Sequence, residues 1–320
     1  MFGMVIEGNS LRYDDTLETP EPAAGEVLIK TAYAGVNRAD LFQIAGHYPP
    51  PEGASPLPGL EVSGEIVAIG EGVKEWGIGQ PVCALLEGGG YGEYARVAAS
   101  QILAVPTGWS MAEAAALPEA LFTVWLALFH TAQLQAGGTV LIHGGASGIG
   151  SLASQMVAAA GAKSVTTASS AEKCEFSKKQ GAEKAICYKE EDFVEVIKRD
   201  YGGVDIVLDI VGGSYIARNL KVLKPYGRMI SLAFLESAQI EISAAALLMK
   251  QLRWQGVTLR SRSREQKAHL CQEIETHCGE WLAQRRILPA IDSEYPLKQA
   301  DEALKRMEQN LNFGKILLKA

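Results

Sequence analysis

Residues 141–156 read LIHGGASGIGSLASQM: an apolar run, a knot of glycines, then apolar residues at helical spacing. A strand that turns sharply into a helix through glycines lets the backbone come close to a diphosphate. Gly145, Gly148 and Gly150 can serve the sharp turn, the close approach and the tight helix–strand contact. In the strict G-x-G-x-x-G spacing, however, the middle glycine is here Ser147, so the motif alone is weak and its surroundings decide. TVLI precedes it, SLASQMVAAAG follows and SVTTA comes next, which predicts strand, helix, strand. The N-terminus of that helix would offer the N–H groups of Ser147, Gly148, Ile149 and Gly150 to a diphosphate. The alternative is a tight structural turn that holds nothing.

Outward from this unit, TVLIHG, SVTTAS, KAICY, VDIVLDIVGG, GRMISLAF and RWQGVTLR alternate with helical patterns. Alternation of this kind predicts an α/β fold with a doubly wound parallel sheet. DIVLDIV has no wet face, as a central strand covered on both sides requires. Before about residue 110 the texture differs: glycine and proline punctuate short runs such as GEVLIKTAYAGV, VSGEIVAIG and YGEYARV, which read as strands between turns. The closing GKILL resembles that first region. The expected organisation is a β-rich domain over residues 1–120 and 263–320, interrupted by a nucleotide-binding domain over 121–262. The crevice between them is the default ligand site.

Which nucleotide the turn would hold is read about 20 residues further on, where NAD enzymes place an acid for the ribose 2′-hydroxyl. The second strand ends in TASSAEK, without an acid at its tip. Ser169 and Ser170 can donate to a 2′-phosphate, and Lys173 can supply the counter-charge, which favours NADPH over NADH. Glu172 intrudes, and serines followed by a lysine also read as an ordinary helix cap.

Composition narrows the class. The 320 residues are 48% hydrophobic and 21% charged, which describes a folded water-soluble chain of about two domains. A net charge of -7 argues against nucleic acid as the main partner. LRSRSREQK, residues 259–267, is a local basic spot, read as a solvated helix start or a polyanion site. Cys83, Cys174, Cys187, Cys271 and Cys278 are scattered, with no CxxC pair, so neither a disulfide framework nor a thiolate metal cluster is expected. A reducing, cytoplasmic setting fits. MFGMVIEGNS lacks the basic flank of a signal peptide. AAALPEALFTVWLALFHTAQL is interrupted by Pro118, Glu119 and His130 and predicts a buried helix, not a membrane span.

VNRADLFQIAGHYPPPEG, PGLEVSGEIVAIGEGV, LPEALFTVW and NLNFGKILL, with the glycine turn, resemble the medium-chain dehydrogenase/reductase superfamily nearly end to end. Within it the chain is similar to the zinc-independent quinone oxidoreductases, especially the tumour-suppressor-inducible type. The resemblance implies a GroES-like β-rich catalytic domain beside a Rossmann domain, NADPH as cofactor, and hydride transfer to a quinone in the interdomain cleft. It also implies a homodimer, paired through the edge strand RWQGVTLR. Zinc-dependent relatives carry a cysteine ligand where this chain has Asn37 in GVNRAD, and a histidine where it has Leu60 in GLEVSG. LLEGGGYGEYARV crosses the region of their structural zinc lobe without a cysteine. Glu61 alone cannot hold a catalytic zinc, so a metal-free enzyme is expected. Without a Lewis acid, alcohol oxidation is difficult, whereas quinones and enones accept hydride readily because the developing charge is delocalised.

By the same resemblance, Asn37 and Tyr48 fall near the nicotinamide and substrate. Tyr48 would hydrogen-bond the acceptor oxygen or deliver the proton, or else form an aromatic lid packed by prolines. Asn37 would be an amide contact or a turn former. Thr123 matches a residue supporting the nicotinamide region, or bonds its own backbone. Tyr188 matches a position beside the adenosine end. Ala233 and Phe234 match backbone lining the nicotinamide pocket, or are plain sheet core. Asn312 and Lys315 match a C-terminal cofactor contact. Nucleophilic catalysis finds little support: no serine or cysteine is placed beside His143 or His47, and GASGIG is not a G-x-S-x-G elbow. Two alternatives stand beside quinone reduction: an enone or enoyl-thioester reductase, and a non-enzymatic nucleotide- or RNA-binding protein.

Overall fold

Short alternating runs between glycines and prolines form antiparallel strands, and continuous apolar runs between helices form parallel ones. The computed structural model describes residues 1–320. A hairpin of β1 (Gly3–Glu7) and β2 (Ser10–Asp14) opens the chain. Then come β3 (Glu26–Val36), α1 (Arg38–Ile44), β4 (Glu61–Ile69), β5 (Pro81–Leu85), β6 (Tyr94–Ala98) and β7 (Ile102–Ala104). The apolar stretch that follows is not one helix: α2 (Met111–Ala115) and α3 (Pro118–Val124) are separated at Pro118, and Trp125–Thr131 continue as π-helical turns. No helix is long and apolar enough to cross a membrane.

Six parallel strands alternate with helices next: β8 (Thr139–His143), α4 (Gly148–Ala159), β9 (Lys163–Ala168), α5 (Ala171–Lys179), β10 (Lys184–Cys187), α6 (Phe193–Tyr201), β11 (Val204–Asp209), α7 (Ser214–Val222), β12 (Leu223–Ser231), α8 (Ala245–Met249) and β13 (Arg253–Gly256). The chain closes with α9 (Arg264–Ala283), β14 (Ile291–Pro296), α10 (Ala300–Glu308) and β15 (Lys315–Lys319).

These elements form two compact units, one of Met1–Phe122 with Arg260–Ala320 and the other of Thr123–Leu259. In the first, a sheet runs β14-β15-β3-β4-β5-β7, with β6 also paired to β3. Ile316 lies opposite Val36 and Val62 opposite Ala34, so residues distant in the chain meet at the end of β3. Val27, Ile29, Val62, Ile66, Val82, Tyr91 and Ile316 are fully buried beneath this sheet.

The second unit is a parallel sheet in the order β10-β9-β8-β11-β12-β13. Strands step outward in one direction from β8 and in the other from β11, so the switch point lies between these two. The loops beyond the carboxyl ends of strands at such a point are where α/β sheets bind ligands. Leu141, Val165, Ile186, Val207 and Met229 fill one face, with Phe193 and Ile216 packed on them.

Candidate functional site

The glycine turn sits at the switch point, between β8 and α4. A Cβ on Gly150 would lie 2.3 Å from the Gly144 carbonyl oxygen, and one on Gly145 would lie 2.5 Å from Thr166 Cβ. Both positions therefore admit only glycine without a backbone shift. Of the four N–H groups expected to face an anion, two are committed internally. Ser147 N–H donates to the Gly144 carbonyl at 2.9 Å, and Gly150 N–H donates to Ser147 Oγ at 3.0 Å. Gly148 and Ile149, the first two residues of α4, carry the N–H groups without an intrahelical acceptor. Ser147 thus acts as the N-cap, and its hydroxyl accepts an N–H that the glycine of the strict motif would leave free.

The other carboxyl ends gather here. Ser169 and Ser170 follow β9, and Ser170 caps α5 by accepting the Lys173 N–H at 3.3 Å. Tyr188 follows β10, its N–H bonded to the Ala168 carbonyl at 3.1 Å, which brings its backbone beside the end of β9, and its side chain is exposed. Ala233 and Phe234 follow β12, and Phe234 closes over Gly212, whose added Cβ would meet its ring at 2.6 Å. Thr123 is buried in α3. His143 is buried between Thr167 Oγ1 at 2.9 Å and Asn219 Oδ1 at 2.8 Å. Burial pushes its pKa down to about 4, so it is a neutral structural histidine.

In the first unit, charge is buried. Lys315, 3% exposed, donates to Asn37 Oδ1 at 2.6 Å and to Glu61 Oε1. Asn37 Nδ2 donates to the same Glu61 oxygen at 2.9 Å, and Glu61 Oε2 accepts the Glu119 N–H at 2.9 Å. Asp40 accepts the Asn37 N–H at 2.8 Å and the Tyr91 hydroxyl at 2.9 Å. Burial, opposed by these donors and by the Lys315 charge, pushes Asp40 up to about 6. Burial and the Asp40 charge hold the Tyr91 phenol well above its usual range. Asn37 is therefore committed to the ion pair, with its amide spent inside the protein. Asn312 Nδ2 bonds the Gly314 carbonyl at 2.8 Å and shapes the turn into β15 that delivers Lys315.

Tyr48 lies on the turn after α1, partly buried and flanked by exposed residues. Burial raises its phenol, Arg260 opposes this, and Glu119 adds to it. The basic stretch 259–267 is a solvated helix start at Ser263, Arg264, Glu265 and Gln266, but two of its cations are buried: Arg260 is 6% and Lys267 1% exposed. Lys267 Nζ donates to Glu87 Oε1 at 2.5 Å and to the Arg260 carbonyl at 3.0 Å.

The glycine turn fits a dinucleotide, because its backbone can approach a diphosphate only where those glycines leave room. The first unit does not fit a catalytic zinc. Glu61, the remaining acidic ligand position, is already neutralised by an ammonium, and Asn37 faces that same ammonium. Burial and the Glu61 charge raise the Cys83 thiol, the opposite of a metal thiolate.

The family described as zinc-binding dehydrogenase matches residues 148–275, and that described as alcohol dehydrogenase GroES-like domain matches residues 23–107. A synaptic vesicle membrane protein VAT-1 homolog of Danio rerio is 32% identical over 93% of this chain, which spans 65% of that relative's length. A quinone oxidoreductase of Rattus norvegicus is 31% identical, covering 96% of this chain and 93% of its own. A mycobacterial protein solved in complex with NADPH superposes with a TM-score of 0.89 at 26% identity, over 100% of both chains. The chain is a member of the medium-chain dehydrogenase/reductase superfamily, in the branch that holds quinone oxidoreductases and VAT-1 homologues, with a GroES-like domain and a Rossmann-like domain for NAD(P).

Proposed function

We propose that the protein is an NADPH-dependent, zinc-independent quinone oxidoreductase, of the kind the tumour-suppressor-inducible enzymes represent. The observation that carries this reading is the Lys315 ammonium on Glu61, which occupies the electrostatic place of a metal without its Lewis acidity. Acceptors that need no metal are those whose developing negative charge is delocalised, and quinones are the clearest class. NADPH, when bound, supplies the hydride.

The chain's own residues bind, orient and protonate. Gly148 and Ile149 hold the diphosphate through their N–H groups, and Ser169, Ser170 and Lys173 take the 2′-phosphate. Tyr188 flanks the adenosine, while Thr123, Ala233 and Phe234 support the nicotinamide. Tyr48, its phenol raised by burial and so protonated at neutral pH, donates a hydrogen bond or proton to the acceptor oxygen. Asn37, Asn312 and Lys315 fix the floor on which this happens. A homodimer paired through β13 would protect that edge strand.

Loss of NADPH absorbance, followed with an ortho-quinone, a para-quinone, a simple enone and a crotonyl thioester, tests the reading. Turnover of the quinones, with NADH much the poorer donor, is expected. Turnover of the thioester alone would replace it with an enoyl reductase, and tight NADPH binding without any turnover would leave a binding protein.

A further inference from the structure

Tyr48 stands on a turn with little of its own to hold it: Ala45, Gly46, His47 and Pro49 are all exposed. Its N–H and that of His47 both reach back to the Phe42 carbonyl, which closes the turn and leaves its tilt free. What fixes the tilt comes from the far side of the chain. Arg260 Nη1 donates to the Tyr48 carbonyl at 3.0 Å, and Nη2 donates to Gln43 Oε1 at 2.8 Å. Nε and Nη2 both donate to the Glu87 carbonyl, at 3.0 and 2.7 Å. The guanidinium carbon also lies 5.1 Å from the Tyr48 ring centroid.

We propose that Arg260 is a positioning residue for Tyr48, one planar cation that locks α1, the Tyr48 turn and the loop after β5 into a single arrangement and presents its charge to the phenol ring. The inference rests on the reading of Tyr48 as the group that meets the acceptor. Only arginine suits the task, since a guanidinium offers five N–H donors in a rigid fork and a lysine offers a point charge. Lys267 completes the device: bound to the Arg260 carbonyl and the Glu87 carboxylate, it holds the backbone of the clamp and one of its acceptors in register. The charged groups facing the phenol are Arg260, before α9, and Glu119, on α3. Arg260 opposes the effect of burial on the phenol, so its loss would make Tyr48 a weaker acid as well as a misplaced one.

The test is a double-substitution cycle in the full-length protein with NADPH and a quinone. Arg260→Met is expected to lower kcat about tenfold or more, since displacing a reacting group by an ångström is costly. In a Tyr48→Phe background the same change should cost less than about twofold, because nothing is left to position. NADPH affinity, measured by fluorescence, should stay unchanged throughout. Equal losses in both backgrounds would overturn the inference, as would a parallel loss of NADPH affinity. If Tyr48→Phe alone is as active as the parent with every acceptor, the proton-donor reading falls. The positioning inference is then judged by 13C-labelled tyrosine NMR: Arg260→Met must move the Tyr48 titration to higher pH, and an unmoved titration refutes it. Should Arg260→Met fail to fold, Arg260→Lys keeps a charge but cannot span three acceptors, and it must show the same coupling to Tyr48→Phe.

Discussion

Replacing Lys315 with methionine removes a cation from one of the driest places in the molecule, and the cost follows from its surroundings. Glu61 is fully buried and Lys315 is 3% exposed, so solvent and salt cannot take the place of the missing partner. Removing one member of a buried ion pair typically costs about 3–5 kcal/mol. Here Glu61 keeps the Asn37 amide and the Glu119 N–H, each at 2.9 Å, which places the loss at the lower end, about 3 kcal/mol. At about 1.4 kcal/mol per tenfold, that raises the open population of the first unit more than a hundredfold. Glu61→Gln should cost a similar amount by stranding the ammonium. The double variant Lys315→Met/Glu61→Gln strands no charge, so its loss should fall short of the sum by at least about 2 kcal/mol.

Because a chain of two units need not unfold in one step, the measurement is native-state hydrogen exchange at β3, β4 and β15, with β8 and β11 as an internal control. Protection should fall in the first set and hold in the second. A loss below about 1 kcal/mol for Lys315→Met, the size of an exposed pair, or strict additivity in the double variant, would refute the reasoning.

Other outcomes follow from the same geometry. Gly150→Ala forces a Cβ to within 2.3 Å of the Gly144 oxygen, so NADPH affinity measured by calorimetry should fall at least about tenfold as the turn shifts. Lys173→Ala should weaken NADPH about tenfold and leave NADH unchanged, and equal loss of both would remove the 2′-phosphate assignment. The two units should respond to pH in opposite directions. His143, at about 4 when folded against 6.5, costs the second unit up to about 3 kcal/mol as pH falls from 6.5 to 4, whereas Asp40, at about 6 against 3.8, costs the first unit a similar amount as pH rises across that range. Hydrogen exchange between pH 4 and pH 7 reads both signs. Sedimentation should find a dimer, and a monomer at micromolar concentration would remove the proposed pairing through β13.

What could be read from the sequence was whatever repeats along it. Every apolar run named from VLI to WQG became a strand of the parallel sheet, most plainly β8 and β11, whose residues are buried almost throughout, whereas the edge strand β13 is largely exposed. The antiparallel region was legible in part: β3, β4, β6 and β15 were marked, while the short strands β1, β2, β5 and β7 carry too few residues to show a period. Contacts that close over distance left no such mark. Lys315 meets Glu61 across 254 residues, and Arg260 meets the Tyr48 carbonyl across 212. Reading LRSRSREQK as a wet helix start holds for Ser263, Arg264, Glu265 and Gln266, which open α9 exposed, and misses Arg260 and Lys267, whose acceptors are backbone carbonyls, an amide oxygen and one carboxylate that no local pattern displays. Two signals were nevertheless present. Ser147 announced an N-cap, which would have reduced the anion-facing N–H groups from four to three, and Pro118 announced the break in the apolar helix.

On the proposed reading, the buried lysine also explains why Tyr48 is the group asked to meet the acceptor. A zinc ion and an ammonium can both neutralise Glu61, but they differ in what they have left to give. Lys315 spends two of its three N–H bonds on Asn37 and Glu61, and it has no vacant orbital for an acceptor oxygen. Asn37 is spent on the same cluster, and Asp40 accepts from Tyr91 and two backbone N–H groups. The phenol proposed to meet the acceptor stands on a turn of exposed neighbours, its carbonyl held by Arg260 at 3.0 Å. On that reading, a lysine in place of the metal moves the demand for precision from a coordination sphere to a loop. Restoring a cysteine at Asn37 and a histidine at Leu60 would consequently not restore a zinc enzyme while Lys315 remains, since the incoming ion would have to displace a cation already seated on its carboxylate.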